Sequence, residues 1–287
     1  MHIIHIQSTD STNRQLKQLS DEQPLPEGTV LVACEQTSGR GQAGNTWEAE
    51  AGKNLTFSML LYPTFLSPKQ HFLLSEAVAL ALTEALSTGV IAGLSIKWPN
   101  DIYVGERKIA GILIENDWQD NHIQRSIVGI GLNVNQEIFR SDAPNPVSIK
   151  QITGQDTDLD ALLNEISNHI YKVYEQLKQY CADEGDRKGS DEGDRKGRPF
   201  YAQNLYHGNG FFDYEDKNGR FRAQIQSVSD DGLLHLETDQ GERRSYAFKE
   251  VKQIPACTPV ETHIKTNIHE NKKVSGRMAQ NWYSSHH

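Results

Sequence analysis

The chain has 287 residues, 37% of them hydrophobic, which is enough to bury the core of one large domain or two ordinary ones and excludes a collagen, a coiled coil or a disordered chain. Acidic residues (38) outnumber lysine and arginine (29), and the net charge of −9 argues against a nucleic-acid partner. The 3 cysteines form no CxxC pair, and neither a secretory signal nor a membrane-length apolar segment is evident, so we expect a soluble, cytoplasmic protein without membrane contact.

The first third of the chain predicts two strands and one long helix. The strands are expected over 29–34 (TVLVAC) and 54–62 (NLTFSMLLY), because both segments are short and apolar. The helix begins with a capping box, in which Ser67 is the N-cap and Gln70 follows three residues later, and it should end at Gly89. Its apolar positions cover most of its circumference, so we expect it to be buried.

The middle of the chain predicts a sheet and a second helix. Residues 94–135 form a predicted three-stranded antiparallel meander with a tight turn at Gly105-Glu106. Apolar residues at three- and four-residue spacing then predict a helix over about 159–180. Blocks of strands and helices, joined in part by hairpins, favour an α+β fold.

The last third of the chain changes in character at a charged repeat. Residues 183–198 contain one unit written twice, DEGDRKGS and DEGDRKGR, without an apolar side chain to join a core. Beyond it, four or five short strands separated by KNG, DDG and DQG turns predict a small β-barrel of about fifty residues. We therefore divide the chain into a first domain (1–182), a charged linker (183–202), a small barrel domain (203–254) and a polar tail (255–287).

A glycine-rich loop, GRGQAGNTW (39–47), follows the first predicted strand. Its glycines let the backbone approach a ligand closely, and Arg40 offers a planar donor for a carboxylate or a phosphate. The loop lacks the GK[ST] ending of a Walker loop, and it lacks the immediate helix of the dinucleotide fingerprint. It is therefore either an anion cradle or an ordinary structural turn.

Two lysines in apolar, strand-like surroundings favour the anion cradle. Lys97 lies in KWPND and Lys108 in RKIAGILIE, where a desolvated ammonium is costly unless an anion compensates it; the alternative is that both side chains reach out to solvent from the sheet edge. Asn100 and Asp101 are either a turn cap or ligands for Mg²⁺ beside phosphates. The segment GIGLNVN (129–135) suits close contact with adenine or ribose, or is an ordinary strand end.

Six motifs follow one another along the chain. They are STN (11–13), EQTSGRGQAGNTW (35–47), NLTFSMLL (54–61), KWPNDIYV (97–104), KIAGILIE (108–115) and GIGLNVN (129–135). This series resembles the catalytic domain of the biotin protein ligases, the biotin-[acetyl-CoA-carboxylase] ligases of bacteria, over roughly residues 1–180. The small barrel is similar to the SH3-like C-terminal domain of that family. The resemblance implies a mixed β-sheet flanked by helices, related to class II aminoacyl-tRNA synthetases and lipoate ligases.

The resemblance also implies a two-step reaction with ATP, in which Mg²⁺ accompanies the nucleotide. The biotin carboxylate attacks the α-phosphate of ATP to give biotinyl-5′-AMP and pyrophosphate, and a lysine of a biotin carboxyl-carrier protein then takes the biotinyl group. Both steps concentrate negative charge, so cationic groups must lower the repulsion. The implied partners are biotin, ATP and the carrier protein, with homodimerisation through sheet edges as a further option.

By motif position, the resemblance implies three sets of site residues. The catalytic residues are Lys108 and Arg40. The biotin-binding residues are Ser11, Thr12, Asn13, Gln36, Arg40, Gly41, Gln42 and Lys108. The nucleotide-binding residues are Arg40, Gly41, Gln42, Trp47, Lys97, Asn100, Asp101 and Asn133. No protein ligand to a metal is assigned, and Mg²⁺ is expected to enter with ATP.

The chain departs from the family pattern at two places. Gln42 stands where the best-known members have the second arginine of GRGR, so a charge beside the phosphate is lost and we expect the adenylate to be held less tightly. STN begins at residue 11, which leaves no room for the winged helix of the repressor-type members. We therefore expect a ligase without the repressor, and no DNA binding.

Two other functions stay open. A lipoate or octanoate ligase or transferase has the same fold, although the GRGQ, KWPND and KIAG motifs favour biotin. A non-catalytic module that recognises a partner protein through the glycine loop and the barrel is a more remote alternative.

Overall fold

The structure is a computed structural model that describes residues 1–89, 91–141, 145–185 and 199–254. The helices are α1 (Thr12–Glu22), α2 (Phe72–Gly89), α3 (Ile149–Thr153), α4 (Leu159–Gly185) and α5 (Pro199–Gln203). The strands are β1 (Ile3–Thr9), β2 (Val30–Gln36), β3 (Leu55–Leu61), β4 (Leu94–Lys97), β5 (Asp101–Val104), β6 (Arg107–Gln119), β7 (His122–Leu132), β8 (Phe212–Asp216), β9 (Gly219–Val228), β10 (Leu234–Thr238), β11 (Arg243–Tyr246) and β12 (Val251–Gln253). Most of the duplicated unit (186–198) and the predicted polar tail (255–287) lie outside the described residues.

The first seven strands form one mixed sheet in the order β1-β2-β3-β7-β6-β5-β4. The strands β1 and β2 run parallel, whereas the other neighbours in the sheet are antiparallel. The parallel pair brings the start of α1 beside the end of β2, because both strands end at the same edge of the sheet. The mixed sheet confirms the α+β prediction.

Helices cover both faces of this sheet. On one face, Leu16 of α1 packs in a small cluster with Leu31, Leu60 and Ile127. On the other face, α2 and α4 enclose the main core, which includes Phe57. Because successive side chains of a strand point to opposite faces, β3 contributes to both clusters and is buried along its whole length. No helix in the described part of the chain is long and apolar enough to cross a membrane.

Most of the predicted elements are confirmed, with one correction in the sheet. The two predicted strands are β2 and β3, and the two predicted helices are α2 and α4. The capping box at Ser67 caps a short 3-10 helix (Pro68–Gln70), and α2 begins after it at Phe72, which corrects the predicted start of this helix. The predicted three-stranded meander is wrong in its strand count. The chain reverses at residues 98–100 as well as at Gly105-Glu106, so residues 94–132 form the four strands β4 to β7.

A second, five-stranded antiparallel sheet, ordered β11-β10-β9-β8-β12, stands where the small barrel was predicted. The Nε1–H of Trp98 donates to the Gly232 carbonyl at 3.1 Å, and the Phe72 N–H donates to the Asp230 carbonyl at 3.0 Å. These bonds hold the second sheet against the β4–β5 turn and the start of α2. The end of α4 and the first four residues of α5 fall in the predicted linker range of 183–202, and the division into domains stays a prediction.

Candidate active site

The floor of the candidate site is a strip of β6 and β7 with glycine in place of side chains. Gly111 lies opposite Gly131 in the register of these strands. A Cβ at Gly131 would lie 2.2 Å from Cε2 of Trp47, and a Cβ at Gly129 would lie 2.2 Å from Oδ1 of Asn13. Glycine therefore allows the Trp47 indole and the Asn13 amide to lie directly on the sheet backbone.

The start of α1 supplies one polar end of the site. Ser11, Thr12 and Asn13 are all buried there. The backbone N–H and the hydroxyl of Thr12 both donate to Oε1 of Gln36, at 2.7 and 3.0 Å. Gln36 is the last residue of β2, so the parallel β1–β2 pair brings together two motifs that are 24 residues apart in the chain.

The glycine-rich loop folds back on itself as a small hairpin. The Gly41 N–H donates to the Asn45 carbonyl at 2.7 Å, and the Trp47 N–H donates to the Gly39 carbonyl at 2.9 Å. These two bonds flank an isolated antiparallel bridge between Arg40 and Thr46. The loop thus has a defined shape that places both Arg40 and Trp47 at the site.

Two cations of the site are paired with carboxylates of the sheet. The Arg40 Nη2 lies 3.0 Å from Oε2 of Glu115, and the Lys108 Nζ lies 2.6 Å from Oδ1 of Asp101. Lys108 also lies over the Trp47 ring, with its Nζ 5.5 Å from the ring centroid. The sequence led us to expect that a bound anion compensates the charge of Lys108. In the structure, Asp101 supplies that negative charge from within the protein.

Lys97 sits among aromatic rings. Its Nζ lies 4.7 Å from the ring centroid of Tyr103, 5.2 Å from that of Tyr206, and 3.5 Å from the Tyr103 hydroxyl oxygen. Burial lowers the pKa of Lys97, and the negative charges of Asp101 and Glu106 offset part of that effect. A partly desolvated ammonium at the edge of a cavity is suited to an anionic ligand.

These groups surround one cavity of about 270 Å³. It is lined by twelve of the thirteen residues predicted from the sequence: Ser11, Thr12, Asn13, Gln36, Arg40, Gly41, Gln42, Trp47, Lys97, Asn100, Asp101 and Lys108. Phe248, in the turn between β11 and β12, also lines it. The cavity thus brings together motifs from both ends of the first 110 residues.

The thirteenth predicted residue, Asn133, lines a neighbouring cavity of about 380 Å³, together with Trp47 and Lys108. Its side-chain amide donates to the Val147 carbonyl at 3.1 Å, and its backbone N–H donates to the Ile109 carbonyl at 2.9 Å. These contacts fasten the chain near residue 147 to the start of β6. Contact of Asn133 with a nucleotide stays a prediction.

Two residues that the sequence did not single out complete the hydrogen-bond network. Ser58, fully buried on β3, donates to Oδ1 of Asn13 at 2.6 Å and lies 2.8 Å from the Thr12 hydroxyl. Glu115 accepts a hydrogen bond from Nδ2 of Asn13 at 2.7 Å and pairs with Arg40. A hydroxyl within the apolar run LTFSMLL is the sequence signal by which Ser58 could have been found.

The described residues do not form a metal centre of their own. No group of three or more His, Cys, Asp or Glu side chains among them is placed to hold a metal ion. Asp101 is engaged by Lys108, and the Asn100 amide donates to the Ile112 carbonyl at 2.7 Å. Within the described part of the chain, the donor set therefore does not fit a metal held by protein ligands alone.

Comparison with known proteins places the chain in a family. Residues 5–133 match the model of the biotin/lipoate A/B protein ligase family. The biotin–[acetyl-CoA-carboxylase] ligase of Paracoccus denitrificans is 34% identical over 180 residues, which cover 60% of this chain and 72% of that protein. The bifunctional ligase/repressor BirA of Bacillus subtilis is 28% identical over 256 residues, which cover 86% of this chain and 72% of the relative.

The fold agrees with the sequence relatives. The biotin protein ligase from Aquifex aeolicus in complex with biotin and ATP superposes with a TM-score of 0.70 at 26% identity, over 89% of this chain and 99% of that one. On its motifs, its fold and its relatives, the chain belongs to the biotin protein ligase family.

Proposed function

We propose that the chain activates biotin with ATP and transfers it to a lysine of a carboxyl-carrier protein. In the first step, a carboxylate oxygen of biotin bonds to the α-phosphorus of ATP and pyrophosphate leaves. In the second step, the lysine amine bonds to the biotinyl carbonyl carbon, loses a proton, and AMP leaves. The observation that carries the proposal is the single cavity in which the STN side chains, the glycine loop and two lysines meet.

The buried polar end of the cavity is assigned to the ureido ring of biotin. That ring offers two N–H donors and one carbonyl acceptor, which require acceptors and a donor on the protein. The Asn13 Oδ1 accepts from Ser58 and keeps a second lone pair, while Oε1 of Gln36 is occupied by Thr12 and its amide nitrogen remains to donate. Together with the Ser11 hydroxyl, these groups match the ring in hydrogen-bonding capacity.

The cationic end is assigned to the carboxylate of biotin and the phosphates of ATP. Arg40, Lys97 and Lys108 all line the same cavity, where they lower the repulsion between two anions that must approach each other. The carboxylates beside Arg40 and Lys108 hold these two cations in place before a substrate arrives, so little reorganisation is required. Arg40 and Lys108 are therefore the residues we assign to catalysis.

The remaining lining residues are assigned to the nucleotide. Gly41 and Gln42 present loop backbone and an amide to the phosphates, while Asn100 and Asp101 lie beside Lys108 at the β4–β5 turn. The Trp47 indole, lying on Gly131, forms an apolar wall that excludes water from the adenylate. Asn133 is also assigned to the nucleotide, because it lines the neighbouring cavity together with Trp47 and Lys108.

The proposal includes partners and a location. The carrier protein is the acceptor required by the second step. β1 is an edge strand of the seven-stranded sheet, where a second copy of the chain has backbone groups with which to pair. The free thiol of Cys34 supports a reducing compartment such as the cytoplasm.

Exchange of labelled pyrophosphate into ATP tests the first step by itself. We expect exchange to require biotin and Mg²⁺ and not to respond to lipoate. Exchange that responds to lipoate and not to biotin would instead establish the lipoate ligase alternative. A Lys108→Ala variant should lose most of the biotin-dependent exchange, and full retention of exchange would remove Lys108 from its assigned role.

A further inference from the structure

Glu115 connects the two ends of the site through one oxygen atom. Its Oε2 accepts a hydrogen bond from Nδ2 of Asn13 at 2.7 Å and lies 3.0 Å from Nη2 of Arg40. Asn13 belongs to the polar end of the cavity, and Arg40 belongs to the glycine loop at the cationic end. Glu115 is not among the described residues that line the main cavity. It lines an outer groove between the glycine loop and β6.

The contact to Asn13 settles the orientation of that amide. One Nδ2 hydrogen goes to the Leu113 carbonyl at 3.1 Å and the other goes to Glu115, while Oδ1 accepts from Ser58. Both donors of the amide are thus used within the protein, and what remains is an acceptor. An acceptor is what an N–H group of a ureido ring requires.

The contact to Arg40 leaves most of the guanidinium available. A guanidinium carries five N–H donors, and the pair with Glu115 engages Nη2. The other donors can therefore bind substrate oxygens while Glu115 keeps the side chain in place. Arg40 does not have to leave its carboxylate partner in order to act.

The pair contributes little to the stability of the fold. The side chains of Arg40 and Glu115 are 38% and 40% exposed, and ion pairs with this exposure stabilise proteins only weakly. The contact therefore serves to orient the Arg40 side chain and not to stabilise the fold. A loop at the protein surface retains its arginine at the cavity because a rigid central strand supplies the counter-charge.

We propose that Glu115 is a positioning residue, which acts on the adenylate through Arg40 and on the biotin ring through Asn13. This inference rests on the proposed function and adds a residue to it. Glu115→Gln separates the two roles, because glutamine still accepts a hydrogen bond from Asn13 but has no charge to pair with Arg40. Glu115→Ala removes both contacts.

The test is a double-mutant cycle on Glu115 and Arg40, read as the dissociation constant of a non-hydrolysable sulfamoyl analogue of biotinyl-AMP. Calorimetry is done with the wild type, Glu115→Gln, Arg40→Gln and the double variant. We expect Glu115→Gln to weaken binding about tenfold when Arg40 is present and less than about twofold when it is replaced. The KM for biotin should rise in Glu115→Ala and stay within about threefold of wild type in Glu115→Gln.

Asp117→Asn is the matched control, because Asp117 lies two residues further along β6 and pairs with Lys17 and Arg125, both of which are outside the site. It should leave the dissociation constant of the analogue unchanged in either Arg40 background. Equal weakening by Glu115→Gln in both backgrounds would overturn the role of Glu115. Failure of the wild type to bind the analogue would instead overturn the proposed function.

Discussion

Two glycines of β7, Gly129 and Gly131, lie under different parts of the site, so a methyl group added at each should affect a different substrate. A methyl at Gly129 displaces the Asn13 amide, and one at Gly131 displaces the Trp47 indole. We predict that Gly129→Ala raises the KM for biotin about tenfold and changes the KM for ATP much less, whereas Gly131→Ala does the reverse.

Steady-state pyrophosphate exchange with each substrate varied in turn measures both constants for both variants. Thermal unfolding provides the control, since both proteins must be folded at the assay temperature. If the two variants changed both constants in the same proportion, the assignment of biotin to the Asn13 end and of ATP to the Trp47 end would be wrong.

Gln42 gives a second prediction at the scale of one residue. It lines the cavity next to Gly41, where an arginine would add a second guanidinium beside the phosphate. We predict that Gln42→Arg leaves the rate of catalysis intact and slows the release of biotinyl-AMP several-fold. Rapid-quench measurement of released adenylate checks this, and an unchanged release rate would contradict our account of position 42.

The limits of sequence analysis differ among these residues. Arg40 and Lys108 could be predicted from the glycine-rich loop and the apolar strand in which they lie, and Gln36 only from the resemblance of its motif to the family. Ser58 and Glu115 could not be assigned a role, because their partner Asn13 is 45 and 102 residues away and is brought to them by strand register. The charge partner of Lys108 was also missed, because Asp101 meets it only through the pairing of β5 with β6.

At the scale of elements, the chain entering the second sheet is attached to the edge of the first. The Ile96 N–H donates to the Asn204 carbonyl at 2.7 Å, and the Tyr206 N–H donates to the Ile96 carbonyl at 2.9 Å, so residues 204–206 lie beside β4. This pairing places the Tyr206 ring over Lys97. The second sheet is thereby connected to a cation of the cavity.

Tyr206→Leu should therefore raise the KM for ATP a few-fold, because Lys97 loses one aromatic face worth about 0.5–2 kcal/mol. Tyr206→Phe keeps that face and loses the hydrogen bond to Glu106, so its KM for ATP should stay near that of the wild type. Pyrophosphate exchange at varied ATP measures both. Equal effects of phenylalanine and leucine would show that the ring over Lys97 has no influence on the nucleotide.

A charge cluster fastens α1 to the sheet. Asp117 accepts hydrogen bonds from Lys17 of α1 and from Arg125 of β7, the latter at 2.8 Å from Nε. Although partial burial acts in the opposite direction, these two cations lower the pKa of Asp117. The carboxylate therefore stabilises the fold at a pH above its unfolded pKa of about 4, and this contribution is lost as the pH falls through the lower folded value.

Asp117→Asn should lower the free energy of unfolding by about 1–2 kcal/mol at pH 7. This is less than the loss expected for a fully buried ion pair, because the Asp117 side chain is partly exposed. The difference from the wild type should shrink towards pH 3. Urea unfolding at both pH values measures it. A difference that is absent at pH 7, or that grows at low pH, would contradict this role of the cluster.

The helices α2 and α4 were predictable because each has a long apolar face, and the capping box at Ser67, which caps the short 3-10 helix Pro68–Gln70, marks the approach to α2. The strand β1 and the helix α1 were not predicted. β1 is an edge strand with mixed, partly exposed side chains, so its sequence IIHIQST carries little of the pattern of a buried strand. α1 is short and fully buries Leu16, Thr12 and Asn13, two of which are polar residues of the site.

For the whole molecule, the net charge of −9 and the cationic cavity are compatible because the cations are few and local. Arg40 and Lys108 are paired with carboxylates, and Lys97 is held by aromatic rings, so the site presents positive charge without a basic surface. An arrangement of this kind favours small anions that fit inside the cavity over extended polyanions. Biotin and ATP meet that description.

The measurement that tests the central claim most directly is incubation with biotin, Mg²⁺-ATP and an isolated biotin carboxyl-carrier domain, read on a streptavidin blot. The wild type should label the carrier domain in a reaction that requires both biotin and ATP, and Lys108→Ala should lose most of the label. Absence of labelling by the wild type, or full labelling by Lys108→Ala, would contradict the assignment of this cavity to the synthesis and transfer of biotinyl-AMP.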